Sequence, residues 1–221
     1  GNIGAVARAM HTMALGGLHL AGPRATVDDQ ARAMAAGGEA LLDAAQVHAD
    51  LAGAVADCVL VVATSARTRG IGWPALDPRA AAAELLGAAA HGPVAVVFGP
   101  ERSGLSNEDL DLCRQRLEIP ANPAFPSLNL AAAVQIVAYE LFRAAQHAPP
   151  AAALGGPLPR HGELEALHAH LVRTLTALGF YDPRRPRRLE RRLRELMRRL
   201  APDQNEINLL RGILAAADDA V

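Results

Sequence analysis

The residues best suited to chemistry in this chain lie in one loop, Phe-Gly-Pro-Glu-Arg-Ser-Gly-Leu-Ser-Asn, at residues 98–107. The loop carries Glu101 and Arg102, follows an apolar run that predicts a buried strand, and precedes a predicted helix start. Loops between a strand and a helix are common ligand-binding places in α/β proteins. This loop lacks the Gly-Lys-Ser/Thr ending of a P-loop and the Gly-x-Gly-x-x-Gly turn of nicotinamide-binding folds. A different kind of ligand is therefore indicated.

Strands and helices are predicted to alternate around this loop, which indicates an α/β fold with a parallel sheet. Apolar periodicity predicts helices at residues 2–15, 28–36, 50–56, 78–90 and 127–146, and strands at 18–21, 58–63, 94–98 and 116–119. The polar loops after Val62, Phe98 and Ile119 would share the carboxyl edge of the sheet, where ligands bind in open α/β sheets. Because no strand precedes the first helix, we expect an N-terminal strand to be absent from this sequence.

The last third of the chain predicts a separate helical domain. Residues 148–159 are rich in Pro, Ala and Gly without periodicity, and predict a linker between a domain at 1–147 and a second at 160–221. Three helices are expected in the second domain, and they could bury a small shared core. Two leucine stripes support this prediction: Leu164, Leu167, Leu171 and Leu175, and then Leu189, Leu193, Leu196 and Leu200.

Positive charge is concentrated in one short run of the second domain. Between Arg184 and Arg199 lie nine Arg and two Glu, a net charge of +7 in a chain whose total is −1. Such a block is a candidate contact for a polyanion. From charge alone, a solvated helix face is an equally good interpretation.

The remaining composition excludes several classes of protein. Cys58 and Cys113 lie far apart in apolar or helical contexts, which is typical of reduced thiols in the cytoplasm. No group of Cys and His has zinc spacing, so we expect no metal, and we expect the eight His at the surface. The sequence shows no signal peptide and no apolar run of membrane-spanning length.

Three segments together resemble the motifs of a known family. They are Asn-Ile-Gly-Ala-Val-Ala-Arg at residues 2–8, Val-Phe-Gly-Pro-Glu-Arg-Ser-Gly-Leu-Ser-Asn-Glu at 97–108, and Ile-Pro-Ala-Asn-Pro-Ala-Phe-Pro-Ser-Leu-Asn-Leu-Ala at 119–131. In order and spacing they resemble the 2′-O-ribose methyltransferase branch of the SPOUT superfamily. The chain is similar in particular to the bacterial tRNA (cytidine/uridine-32) 2′-O-methyltransferases, and the likeness continues through residues 175–180 and 208–214.

The resemblance implies a fold and an activity that composition does not. It implies a deep trefoil knot at the C-terminal side of the catalytic domain, and knots are rare exceptions to chain topology. It also implies a homodimer whose active site combines both subunits. The implied reaction is the transfer of a methyl group from S-adenosylmethionine to a ribose 2′-hydroxyl of tRNA, at nucleotide 32 of the anticodon loop.

The family's catalytic positions match Arg8, Asn2, Glu101 and Asn129. We expect Arg8 to anchor an RNA phosphate and to orient the hydroxyl, because a guanidinium with a pKa above 12 is not normally a base. A surface or dimer-interface Arg is the alternative. Asn2 could instead cap a helix, and Glu101 could instead pair with Arg102 or Arg67.

The family's cofactor-lining positions match seven residues: Thr64, Ser65, Ala66, Gly99, Ile119, Ser127 and Leu128. Ile119 and Leu128 would sandwich the adenine, and Gly99 would let the backbone approach closely. Ser127 and Asn129 would open the last helix of the domain, where free amide groups can bind an anion.

With a tRNA substrate implied, the basic run becomes a predicted phosphate contact, and we expect Arg184, Arg185, Arg188 and Arg192 to bind RNA. An rRNA ribose methyltransferase shares the same motifs and stays open as an alternative. A non-catalytic RNA-binding module that holds the cofactor is the alternative from a different class.

Overall fold

A computed structural model describes residues 1–22, 27–65, 75–147, 157–184 and 188–220 of the chain. Ala66 and Arg185, which the sequence predicts to bind cofactor and RNA, lie outside these residues, and so does most of the predicted linker. Arg67 lies outside them as well.

The N-terminal part is a small unit of helices around a two-stranded parallel sheet, β1 with β2. Its elements are α1 (Asn2–Thr12), β1 (His19–Ala21), α2 (Asp29–Ala35), α3 (Glu39–Asp43), β2 (Gln46–His48) and α4 (Leu51–Val55). Asp28 caps α2 through its carboxylate, which accepts the Ala31 amide at 2.7 Å. Ala7, Ala31 and Ala35 are almost fully buried, so small side chains let α1 and α2 pack closely.

The central sheet has four parallel strands in the order β4-β6-β3-β5. Its elements, with the helices that connect them, are β3 (Leu60–Thr64), β4 (Ala75–Leu76), α5 (Pro78–Ala89), β5 (Val94–Val97), α6 (Asn107–Asp111), β6 (Gln115–Leu117) and α7 (Leu130–His147).

Alternation along β3 explains how this sheet is covered on both faces. Leu60 and Val62 pack with residues of α5 and α7 on one face, whereas Val61 and Ala63 pack with Val55 and Cys113 on the other. A strand that is buried on both sides has a continuous apolar sequence, which is why residues 58–63 read as a strand. Cys58 and Cys113 are both free thiols, and both are buried.

The C-terminal part contains α8 (His161–Ala177), α9 (Leu189–Leu200) and α10 (Gln204–Asp218). Helix α8 is central and packs against both of the others. Leu167 of α8 and Ile207 of α10 are fully buried, and Asp218 accepts hydrogen bonds from Thr174 at 2.6 Å and from the His170 ring at 2.9 Å.

Two expectations about this helical part are wrong. The leucine stripe of α9 is not a core stripe, because Leu196 and Leu200 are 47% and 50% exposed. Two of the eight histidines are buried rather than exposed, His161 and His168, and burial lowers the pKa of both rings.

The parallel α/β architecture with an attached helical part is confirmed, with differences in detail. The strands form two separate sheets, and three short elements were not predicted: α3, β2 and β4. Helix α7 begins at Leu130, three residues later than expected. Within the described ranges, no helix is both long enough and apolar enough to cross a bilayer.

Candidate functional site

The carboxyl ends of β3, β5 and β6 are tied together by hydrogen bonds. The Thr64 hydroxyl donates to the Val97 carbonyl at 2.9 Å, and the Ser65 amide donates to the Leu117 carbonyl at 3.0 Å. The three polar loops that follow these strands therefore start from one edge of the sheet, as the sequence predicts.

Gly99 has a structural role within its own loop, and its predicted contact with the cofactor stays a prediction. A Cβ atom at this position would lie 2.4 Å from the Leu105 amide nitrogen and 2.5 Å from the Gly104 carbonyl carbon. The missing side chain therefore lets the loop close on its own backbone. Ser106 then starts α6, because its hydroxyl accepts the Asp109 amide while Asp109 accepts the Ser106 amide.

Three predicted catalytic residues meet at the start of α7. The Asn129 side-chain amide donates to Glu101 Oε1 at 2.7 Å and lies 3.5 Å from Asn2 Oδ1. The same Glu101 oxygen accepts the backbone amide of Leu130 at 3.1 Å. Asn129 lies 28 positions after Glu101 and 127 positions after Asn2, and each of the three motifs contributes one of these residues.

Asn129 is fixed in one orientation by its second role as a helix cap. Its Oδ1 accepts the amides of Ala131 and Ala132 at 3.0 and 3.3 Å, so its NH2 group must face Glu101. The expectation that capping and a site position coexist here fits this geometry. The first amides of α7 are not free, however, since Glu101 and Asn129 already bind them.

The environment of Glu101 favours its ionised form. The hydrogen bonds from the Leu130 amide, and then from the side chains of Asn2 and Asn129, lower the pKa of this carboxyl below its ordinary value of 4.5. No ion pair to Glu101 occurs among the residues that the structure describes. The carboxylate is thus oriented by neutral donors and keeps its charge at neutral pH.

Arg8 lies on α1 but away from this cluster. It is exposed, and six positions after Asn2 correspond to about 9 Å along the helix and about 240° around it. In the described part of the chain, its side chain makes no hydrogen bond or ion pair. Its position is nevertheless fixed, because Gly38 packs so closely that a Cβ there would lie 3.1 Å from the Arg8 amide nitrogen.

The predicted cofactor positions are of two kinds. Ile119 and Leu128 are half-buried apolar side chains, and Ile119 packs against the core of the central sheet. Thr64 and Ser65 are half-buried and polar, and Ser127 is exposed. Apolar side chains can pack against an adenine ring, and hydroxyl groups can form hydrogen bonds with a ribose and a charged methionine tail. These residue types therefore fit S-adenosylmethionine.

The predicted RNA-binding arginines that the structure describes are all at the surface. Arg184, Arg188 and Arg192 are exposed, and so is Arg199 further along α9. The helix also carries arginines that are not free for RNA, Arg191, Arg194 and Arg198, which are ion-paired. Charge counting alone did not separate these two groups.

Two cavities lie at the opposite, amino edge of the central sheet. The smaller one, about 60 Å³, lies between Cys113, His161 and Arg198, where the helical part meets the central sheet. The larger one, about 350 Å³, is lined by Glu84, His91, Arg114 and other residues. Neither contains a predicted site residue.

The fold and the site together define an α/β protein with a composite polar site at the carboxyl edge of a parallel sheet, and comparison with known proteins identifies the family. The chain belongs to the SpoU rRNA Methylase family, whose sequence profile matches residues 1–139. Residues 162–221 match the profile of the C-terminal domain of the tRNA methyltransferase TrmJ.

Individual relatives agree with this assignment. The chain is 44% identical over 223 residues to the tRNA (cytidine/uridine-2′-O-)-methyltransferase TrmJ of Klebsiella pneumoniae, covering 99% of this chain and 91% of the relative. The crystal structure of TrmJ from Z. mobilis ZM4 superposes with a TM-score of 0.83 at 38% identity, covering 98% and 93% of the two chains. AviRb from Streptomyces viridochromogenes, solved in complex with AdoMet, has a similar fold (TM-score 0.51, 23% identity, 66% and 56% covered).

Proposed function

We propose that this protein transfers a methyl group from S-adenosylmethionine to a ribose 2′-hydroxyl of tRNA, at nucleotide 32 of the anticodon loop. The observation that carries the proposal is the cluster of Asn2, Glu101 and Asn129 at the start of α7. The names of the relatives support the substrate class and the reaction.

The residues at the carboxyl edge have distinct tasks. When bound, S-adenosylmethionine supplies an electrophilic methyl group. Ile119 and Leu128 would hold its adenine, and the loops that carry Thr64, Ser65 and Gly99 would hold the rest, with Ala66 and Ser127 beside them. Glu101 and Asn129 form a negatively charged, hydrogen-bonded pair of fixed orientation at the same edge.

Arg8 orients the nucleophile in this proposal. A hydroxyl is a weak nucleophile at neutral pH and must be positioned and relieved of its proton. Arg8 holds an RNA phosphate beside the hydroxyl, and that phosphate is the proton acceptor. The proposal includes a homodimer whose active site combines both subunits, in which Arg8 serves the site of a second copy.

The same proposal includes the trefoil knot of the SPOUT fold, a catalytic domain at residues 1–147, a linker at 148–159 and a helical domain at 160–221. The limits of the two matching family profiles support these boundaries. The helical domain grips tRNA through its exposed arginines, and the enzyme works in the cytoplasm.

Methylation of rRNA is the second candidate, because the name of the matching family favours it. The test is methyl transfer from labelled cofactor to a tRNA transcript and, in parallel, to rRNA fragments. We expect product with tRNA only, and loss of that product with Arg8→Ala while cofactor binding is retained. Transfer to rRNA alone would refute the tRNA assignment, and a fully active Arg8→Ala variant would refute the role of Arg8.

A further inference from the structure

The arginines of α9 occupy two different faces of the helix. Arg191, Arg194 and Arg198 are spaced by three and four positions and share one face, and all of them are ion-paired. Arg192 and Arg199 are seven positions apart, share another face, and are exposed, as is Arg188, the residue just before the helix. We call the first group the docking arginines and the second the open arginines.

Two docking arginines contact the catalytic part of the chain through Asp111. Arg198 Nη2 donates to the Asp111 backbone carbonyl at 3.2 Å and lies 3.5 Å from its Oδ1. Arg191 Nε lies 3.6 Å from the same oxygen. The side chains of Arg198 and Asp111 are only 15% and 24% exposed, so this contact is largely shielded from water.

Asp111 lies where α6 ends and the chain leads to β6, close to the place where the helical part contacts the sheet. It is the last residue of α6, the helix that begins directly after the loop carrying Gly99 and Glu101. It also precedes β6, so it lies at the amino edge of the sheet. Helix α8 docks at that edge too, where the amides of His161 and Gly162 donate to the carbonyls of Cys58 and Ala56.

The helical part is therefore attached at one edge of the sheet, while the methyl-transfer site lies at the other. A substrate that contacts both must span the length of the strands, which is possible for a tRNA and not for a single nucleotide. A small rotation of α9 about its contact with Asp111 would displace the part of the bound RNA that lies at the active site. Misplacement of about 1 Å at the reacting atoms can cost about a hundredfold in rate.

We propose that Asp111 is a positioning residue, which fixes the orientation of α9 so that the open arginines present tRNA to the active site. This inference rests on the proposed function. Desolvation offsets most of the attraction in an ion pair that is shielded from water, so we assign this contact a role in orientation and not in net stability. The contact consequently orients the helical part and leaves RNA affinity to the open arginines.

The test compares Asp111→Asn and Arg198→Gln, alone and together, with Arg192→Gln as the matched control from the open face. We expect Asp111→Asn to lower kcat for tRNA about ten- to a hundredfold, with little change in the affinities for cofactor and tRNA. The double variant of Asp111→Asn and Arg198→Gln should lose less than the sum of the two single losses, because both changes remove the same Arg198–Asp111 ion pair. Arg192→Gln should instead weaken tRNA binding and reduce its salt dependence.

The distance between two spin labels gives a readout that does not depend on activity. The labels are attached at Gly87→Cys on α5 and Gly212→Cys on α10, which are open positions, and both native cysteines are buried. The distribution of distances should broaden or shift in Asp111→Asn and Arg198→Gln, and not in Arg192→Gln. Additive effects of the first two changes, or equal losses of cofactor binding and tRNA turnover, would overturn the proposal. Absence of methyl transfer by the wild-type protein would refute the proposed function instead, and the label distances would still decide whether Asp111 orients the helical part.

Discussion

Replacing the open arginines Arg188, Arg192 and Arg199 together by Gln should remove most of the salt dependence that α9 contributes to tRNA binding. Glutamine has a helix propensity similar to that of arginine and is polar but uncharged, and these three side chains are exposed, so the fold should be unaffected. Each lost phosphate contact reduces the slope of log affinity against log salt by about 0.7 to 0.9, hence by about 2 to 3 for the three residues.

The slope translates into a measurable difference in affinity. Between about 50 and 200 mM salt, the wild-type affinity should fall about 20- to 40-fold more than that of the triple variant. Filter binding of a tRNA transcript over a salt series measures both slopes, with Arg79→Gln on α5 as a control for a general loss of positive charge. An unchanged slope in the triple variant, or a decrease of about 0.7 to 0.9 in the Arg79→Gln control, would refute an RNA-binding role for this face.

Three further predictions concern the described residues individually. The Glu101 carboxyl should titrate with a pKa below 4.5 in a carboxyl-resolved NMR titration. The contacts of its ionised form therefore stabilise the fold above pH 4.5, and this stabilisation is lost as the pH falls through the lowered pKa. Asn129→Ala should raise the titration midpoint of Glu101, and an unchanged midpoint would contradict the assigned contact. Gly38→Ala should destabilise the protein by about 1–3 kcal/mol in urea unfolding, because its Cβ would lie 2.9 Å from a carbonyl oxygen of α1. Gly87→Ala, in an open position on α5, should stabilise it by about 0.5–1 kcal/mol; equal effects of the two substitutions would contradict the packing of α1. Burial raises the pKa of the Cys113 thiol to about 12, so iodoacetamide should alkylate it slowly in the native protein and rapidly in urea, and rapid native labelling would contradict its burial.

The central sheet could be predicted from sequence because its signals are local. The apolar run of β3 and the helix cap of α5 at Asp77, which binds the Ala80 amide, are visible as residue patterns. The short elements α3, β2 and β4 span two to five residues each, too few for a periodic pattern. The division of the strands into two sheets depends on pairing between distant segments, which periodicity does not reveal.

The motifs predicted which residues form the candidate site, but they did not predict the hydrogen bonds between them. The motifs identified Asn2, Glu101 and Asn129, but the sharing of one Glu101 oxygen between Asn129 and the Leu130 backbone amide follows only from the three-dimensional arrangement. A backbone amide leaves no trace in the residue pattern.

Helix α9 shows why amphipathic patterns can mislead about packing. Its leucine stripe correctly indicates a helix, yet the helix is anchored by the arginine face that meets Asp111 and Glu165. Periodicity determines which residues share a face, whereas the partner surface determines which face is buried. Because the partners Glu165 and Asp111 lie 29 and 87 positions before Arg194 and Arg198, the sequence pattern does not distinguish the docking arginines from the open ones.

Methylation of tRNA transcripts that each lack a single ribose 2′-hydroxyl tests the central claim most directly. With wild-type protein and methyl-labelled S-adenosylmethionine, we expect every transcript to accept label except the one blocked at nucleotide 32. Labelling of that transcript at the wild-type level would contradict the assigned position, and failure to label any tRNA would contradict the activity itself.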